Sequence, residues 1–223
     1  MIFDFLRSKP SYPPVDILSA ATRDSIIASQ LRKHLPQLGL QEAAPRRWID
    51  GSKPPVRRLF LLELLKGASM TASWGFSLDF VPHISAGAVR WHRSDKTAML
   101  DVIVNPKSLL QPCSLYGTTV LEDELQKLMP SAAAAAAETW RRGATYEGMI
   151  AIIRDIRDQK SNCHGYYTYT QLPLAHAFLL AKTGALDAAR SELDAYLAKH
   201  DFRLTEEAPA KLKMLVDEAA PAR

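Results

Sequence analysis

Residues 72–81 read ASWGFSLDFV: the even positions Ala72, Trp74, Phe76, Leu78 and Phe80 are apolar, and Ser73, Gly75, Ser77 and Asp79 alternate with them. Successive side chains of an extended chain point to opposite sides, so a period of two predicts a β-strand with one buried face. Working outward, Val89 and Trp91 alternate with Ala88, Arg90 and His92, and Leu100, Val102 and Val104 alternate with Met99, Asp101 and Ile103. Residues 82–87 and 94–96 between these runs are short enough for hairpins, so an antiparallel meander is expected. On the N-terminal side, Val56–Lys66 (VRRLFLLELLK) is apolar at both parities, which suits a strand covered on both faces and also a short helix. The balance favours the strand.

The remainder reads as helix. Residues 9–14 (KPSYPP) should run extended, because each proline fixes its own φ and restricts its predecessor. Asp16 is the expected N-cap of a first helix carrying Ile27, Leu31, Leu35 and Leu38 and ending at Gly39. After Gly117 the period becomes helical. Thr119 with Glu122 reads as a capping box for a helix that Pro130 should end, and Ser131 as the cap of a second helix running through the alanines 132–137 to Gly143. Thr145 caps a third, whose stripe is Tyr146, Met149, Ile150, Ile153 and Ile156. The polar, aromatic segment 161–169 separates it from a helical pair, and a short last helix with Leu212 and Leu215 follows Glu206. The fold class is therefore α+β. An N-terminal helix should lie on a three- or four-stranded antiparallel meander (residues 1–117), with an all-helical half packed against it (residues 118–223).

Composition bounds the function without naming it. The 223 residues are 47% hydrophobic and 23% charged, the balance of a folded globular protein. Cys113 and Cys163 are too few for a disulfide framework, and no signal peptide or apolar run of membrane-spanning length is read, so the expected location is cytoplasmic. The net charge is +4, unevenly divided: residues 1–117 carry 15 Lys and Arg against 9 Asp and Glu, and residues 118–223 carry 13 against 15. Basic residues cluster at Arg46, Arg47, Lys53, Arg57 and Arg58, and again at Arg90, Arg93, Lys96 and Lys107. Such clusters suit an acidic protein partner or a phosphate backbone, with Trp48 and Trp91 available to stack, although no nucleic-acid motif accompanies them. A solvated basic face is the ordinary explanation.

Two resemblances add to this. Gly184, Ala189 and Leu193 sit where a tetratricopeptide-type hairpin places its helix-ending glycine and packing residues, so residues 172–199 resemble one such hairpin, which alone cannot form a solenoid. The order of a helix ending at Gly39 and Leu40, the Trp48 segment, the Val56–Lys66 run and the Trp74–Val81 strand resembles an uncharacterised bacterial family, domain of unknown function 4304, over residues 23–105. That resemblance implies an α+β domain without known catalytic residues, of a kind suspected of interaction or toxin-immunity roles. The basic charge departs from the acidic surface that an inhibitor mimicking a phosphate backbone would present.

Three candidate sites arise from the residues. The polar face of the meander should carry Ser73, Ser77, Asp79, Arg90, His92 and Asp101, with His92 as a general base between Asp79 and Asp101 and Arg90 as an anion holder. A solvated sheet face explains the same residues without function. Cys163 and His164, beside Tyr166, Tyr167 and Tyr169, form a second candidate, which needs a base such as His176 brought from elsewhere. Metal ligation is the third: His83, His92, His164, His176 and His200 lack ligand spacing, so neither metal nor cofactor is expected, and no phosphate-binding glycine loop or nucleophile elbow is present. The leading expectation is a non-catalytic binding or regulatory protein acting on a protein partner, of immunity type if the resemblance holds, with Arg90, Trp48, Arg57, Arg58, Tyr166 and Tyr167 as binding residues. A hydrolase-type enzyme and a nucleic-acid binder are the alternatives.

Overall fold

The structure is a computed structural model that describes residues 18–51, 54–65, 69–105, 111–112, 117–158, 171–200 and 203–221. Helix α1 (Ala20–His34) leads through a 3-10 turn (Pro36–Leu38) into strands β1 (Leu40–Ala44), β2 (Arg47–Asp50), β3 (Val56–Leu65) and β4 (Ser69–Leu78). A hairpin of β5 (His83–Ser85) and β6 (Ala88–Arg90) follows, then β7 (Val102–Val104) and β8 (Gln111–Pro112). Helices α2 (Thr118–Arg142), α3 (Tyr146–Asp158), α4 (Gln171–Lys182), α5 (Leu186–His200) and α6 (Ala208–Ala219) complete the chain. The fold is α+β, with the sheet and first helix ahead of the helical half.

The sheet is antiparallel and wider than the meander its spacing suggests. Its strands run β1-β2-β3-β4-β7, with β8 also paired to β4. Val56–Leu65 is indeed a strand, and it is the long partner of β4. The Val89 strand does not join the sheet. Pro82 follows β4 without an amide hydrogen to give, and β6 folds back on β5 through a two-residue turn in which Ala86 (φ 49°) and Gly87 (φ 78°) are both left-handed. β7 then returns directly to β4. Strands β1 and β2 go unnoticed in the apolar pattern because Gln41 and Glu42 of β1 are exposed. Their turn is set by Pro45 and by Arg46 at φ 63°, the pattern of a type II turn.

Both faces of this sheet are covered. One row, Trp48, Phe60, Trp74 and Val104, runs across four strands by register, with Phe60 and Trp74 stacked at 6.3 Å. This row faces the helices and belongs to a buried cluster that continues through Ile27 and Leu31 of α1, Leu125 of α2, Phe178 of α4 and Val216 of α6. Two indole donors lock α2 on the sheet: Trp74 Nε1–H donates to Thr139 Oγ1 at 2.9 Å, and Trp140 Nε1–H donates to the Gly75 carbonyl at 2.9 Å. The opposite row contains Ile49, Leu59 and Gly75, and here the segment before β7 folds over the sheet, burying Ala98 and Leu100 against Ile49 and Leu59. Gly75 permits that approach, since a Cβ there would lie 1.7 Å from the Val102 carbonyl oxygen.

The helical half departs from the sequence reading at two points. Pro130 does not end a helix: α2 runs unbroken from Thr118 to Arg142. Pro130 lies on the exposed side with Gln126, the residue whose carbonyl loses its partner, while Leu128, Met129 and Ala132 keep the buried side packed. Nor does the Thr119–Glu122 capping box form; Gly117 is the N-cap, without a side-chain bond. Helix α1 is likewise capped by Ser19, whose side chain accepts the Thr22 N–H, and Asp16 lies outside the described residues. The Thr145 cap does form, accepting the Gly148 N–H at 3.1 Å. Helix α4 is buried at every position from Leu172 to Ala181, as a helix that is apolar all round must be, and it pairs with α5 through a turn at Gly184 (φ 80°).

Candidate binding surface

Arg57 organises the polar side of the sheet. It projects from β3 on the face that Ala98 and Leu100 cover, and it is 4% exposed. Its guanidinium forms a two-pronged pair with Asp79, Nη2 donating to Oδ2 at 3.1 Å, and its Nε lies 3.1 Å from the Asp95 carboxylate. Nη2 also donates to the Arg93 carbonyl at 2.8 Å, and Arg93 Nε–H returns a bond to the Asp79 carbonyl at 2.8 Å. A buried guanidinium is tolerated only with such pairing, and a planar fork can hold two loops at once.

Segment 91–98 is thereby fixed from beneath. Arg47 Nη1 donates to the Lys96 carbonyl at 2.7 Å. Ser94 and Thr97 close a turn, their hydroxyls 2.7 Å apart and the Thr97 and Ala98 amides donating to the Ser94 carbonyl at 3.0 and 2.7 Å. The Arg93 guanidinium stacks 3.7 Å from the Trp91 ring centroid. Arg90, Arg93 and Lys96 are exposed on the outer side. Among the described residues, neither they nor Arg47 enters an ion pair, whereas Asp79 and Asp95 are committed to Arg57. The result is a cationic loop whose backbone is held by buried Arg57 and half-buried Arg47.

Beside it lies a chain of titratable groups. Asp101 is 1% exposed; one carboxylate oxygen accepts the Leu78 N–H at 2.5 Å, and the other accepts from Gln171 Nε2 at 2.9 Å and lies 3.0 Å from His83 Nε2. Burial raises the Asp101 pKa, and the His83 and Leu78 hydrogen bonds pull it back. His92 meets the His83 ring edge-on at 4.8 Å. Burial lowers the His92 pKa, the His83 and Arg47 charges act in the same direction, and Asp101 opposes them. His92 is therefore the half-buried end of an Asp101–His83–His92 series.

The expected sites are redistributed accordingly. The sheet face is not solvated: Ser73, Ser77 and Asp101 are each 1% exposed or less, and Ala98 and Leu100 pack over this face against Ile49 and Leu59. His92 does not sit between Asp79 and Asp101; Asp79 belongs to Arg57, and His83, read in the sequence only as a scattered histidine, stands between His92 and Asp101. Trp48 is 4% exposed and packs in the core, so it is no stacking platform. Arg57 is an internal hub, not a surface contact. Arg58 pairs with Asp50 at 2.8 Å and lies over the Trp140 ring. Of the expected binding residues, Arg90 is on the outside. Cys163, His164, Tyr166 and Tyr167 lie outside the described residues, as do Lys53 and Lys107. His176, offered as a base for Cys163, is buried in α4 with Nδ1 3.3 Å from Glu192. The anchoring role of Arg57 was hidden in the sequence because its partners lie 22 and 38 positions away.

Among the described residues, no group of three or more His, Cys, Asp or Glu is arranged to hold a metal ion, and no helix is long and apolar enough to cross a membrane. Comparison with known proteins finds no family model that matches this chain, no curated protein that matches it and no solved structure that matches it.

Proposed function

We propose that this protein is a non-catalytic binding protein that docks an acidic segment of a protein partner on the loop bearing Arg90, Arg93 and Lys96. The observation that carries this reading is the support of that loop by buried Arg57 and by Arg47, which bond its carbonyls at 2.8 and 2.7 Å. A loop already held in one conformation loses little entropy on binding, so its cations are available for recognition and not for ordering. The groups that a sheet-face enzyme would use are engaged instead in holding the fold: Asp79 with Arg57, and Asp101 with Leu78, Gln171 and His83. The immunity-type role implied by the resemblance of residues 23–105 is then one identity for the acidic partner.

A poly-glutamate peptide and a single-stranded oligonucleotide of equal charge separate the readings. The peptide should bind, and Arg90→Glu with Lys96→Glu should weaken it about tenfold or more, which is about 1.4 kcal/mol. These side chains are exposed, so the fold should survive. Unchanged peptide affinity in the double variant, or tight salt-dependent binding of the oligonucleotide alone, overturns the proposal.

A further inference from the structure

The tip of the β5–β6 hairpin closes over the end of α5. Thr205 N–H donates to the Gly87 carbonyl at 3.0 Å, and a Cβ on Gly87 would meet the Arg203 carbonyl at 2.9 Å, so hairpin and chain are in close contact there. Beside this clasp is a pocket of about 380 Å³ lined by Ile84, Ala86, Gly87, Tyr196, His200 and Leu204 among others. A volume of that size accommodates a small organic molecule. Ile84, Ala86 and Leu204 make its wall apolar, and the His200 ring rests on that of Tyr196 at 4.7 Å. His200 is 5% exposed, and neither of its ring nitrogens has a hydrogen-bond partner among the described residues. An imidazole always carries at least one N–H, so a buried ring with both nitrogens unpaired has given up its hydration without a bond in return. Because no bond holds it, a turn of the ring about Cβ–Cγ toward the pocket breaks none.

The groups around the pocket favour an uncharged occupant. Lys199 and Arg203, the cations next to it in the chain, each already have an interaction partner. Burial lowers the His200 pKa below its ordinary 6.5 and takes the Tyr196 phenol up to about 12, so both rings are uncharged at neutral pH. A charged molecule would lose its hydration here and find no free counter-charge, whereas a hydrocarbon would leave His200 unpaired. A hydroxyl group both donates and accepts, so it matches a neutral imidazole whichever nitrogen carries the proton. We propose that this pocket binds a small uncharged molecule with an apolar body and one hydroxyl group, the hydroxyl bonded to His200 and the body lying against Ile84 and Leu204. This site is separate from the loop of Arg90 to Lys96, and the two proposals stand or fall independently.

Phenol and toluene are matched probes that differ by the hydroxyl group, and benzoate is a probe of similar shape that carries a charge. In the full-length protein the methyl resonances of Ile84 and Leu204 report occupancy, and the His200 ring resonances report the bond. Phenol should saturate with a dissociation constant below about 1 mM, and toluene and benzoate should each bind at least about tenfold more weakly. His200→Phe, which keeps a ring but no nitrogen, should bring phenol down to the affinity of toluene. His200→Gln, which keeps a donor and an acceptor, should retain part of the preference. Ile84→Trp fills the pocket from the hairpin side and leaves His200 in place, and it should abolish phenol binding read at Leu204. Equal affinity for phenol and toluene, benzoate binding as tight as phenol, a hydroxyl preference that survives His200→Phe, phenol binding undiminished by Ile84→Trp, or no saturation by phenol at about 10 mM overturns the proposal.

Discussion

Two buried polar regions of this protein are built on opposite terms. Under the sheet, around Arg57 and Asp101, each charged group meets several partners drawn from β3, β4, the 93–95 segment and the start of α4. At the end of α5, His200 is equally hidden and its nitrogens meet none. Equal burial therefore carries opposite energetics here, and pairing decides which. A satisfied buried charge holds loops in place and is costly to disturb, whereas an unpaired buried polar ring carries the cost of its lost hydration without a bond in return.

The largest effect expected from that contrast is at Asp101. Asp101→Ala leaves the buried Leu78 amide and His83 without their common acceptor, and leaves the half-buried Gln171 amide with only the Pro82 carbonyl. A loss of about 3–5 kcal/mol of unfolding free energy follows, measured by denaturant titration. Asp101→Asn, which keeps an acceptor, should lose less. If the alanine variant is as stable as the parent, the sheet-side network is not structural and the contrast fails. Arg57→Met is the next in size. It strands Asp79 and frees the Arg93 carbonyl, at about 1.5–3 kcal/mol, the usual range for hydrogen bonds to charged groups. It should also raise hydrogen exchange in residues 93–98 far more than in α5, which a merely global destabilisation would not do.

How far the sequence foretold these regions depends on whether the signal was periodic. The β4 alternation and the helical stripes of α1 and α3 were legible because repeated burial of one face leaves a period in the chain, and Ile27, Leu31, Trp74, Phe76, Ile150 and Ile153 are buried as that period requires. The second covered face was not legible. Ser73, Ser77 and Asp101 look like solvent-facing residues in a one-dimensional pattern, yet all three are buried on a face where Ala98 and Leu100 pack on the sheet, and Asp101 is held there by Leu78, Gln171 and His83. Pro130 misled for the related reason that a proline ends a helix only when neighbouring contacts do not hold it, and here Leu128, Met129 and Ala132 do. Arg57 and Arg58 read as a basic surface pair because their neutralising carboxylates, Asp79 and Asp50, are remote in sequence. His200 has no local signal of any kind, since a histidine in the last turn of a helix is an ordinary cap against the dipole.

The smallest expected effect is the most discriminating between the two regions, because its sign differs. Burial raises the Asp101 pKa above its ordinary 3.8, so the folded chain holds that proton more firmly than the unfolded one, and the stability this group contributes is lost as pH rises above 3.8. Burial and the Arg203 and Lys199 charges lower the His200 pKa below its ordinary 6.5, so between the two values the unfolded chain binds the proton and the folded chain does not. The His200 contribution is therefore complete above pH 6.5 and is lost as pH falls below it. His92 has the same sign. His200→Phe removes one of these two histidine contributions and replaces an unpaired polar ring with an apolar one of similar shape, so at pH 7.5 its stability should lie within about 1 kcal/mol of the parent. Between pH 7 and 5 its melting temperature should fall less steeply than the parent's. An identical slope would mean that the His200 ring is already paired or solvated, and the distinction between the two regions would close.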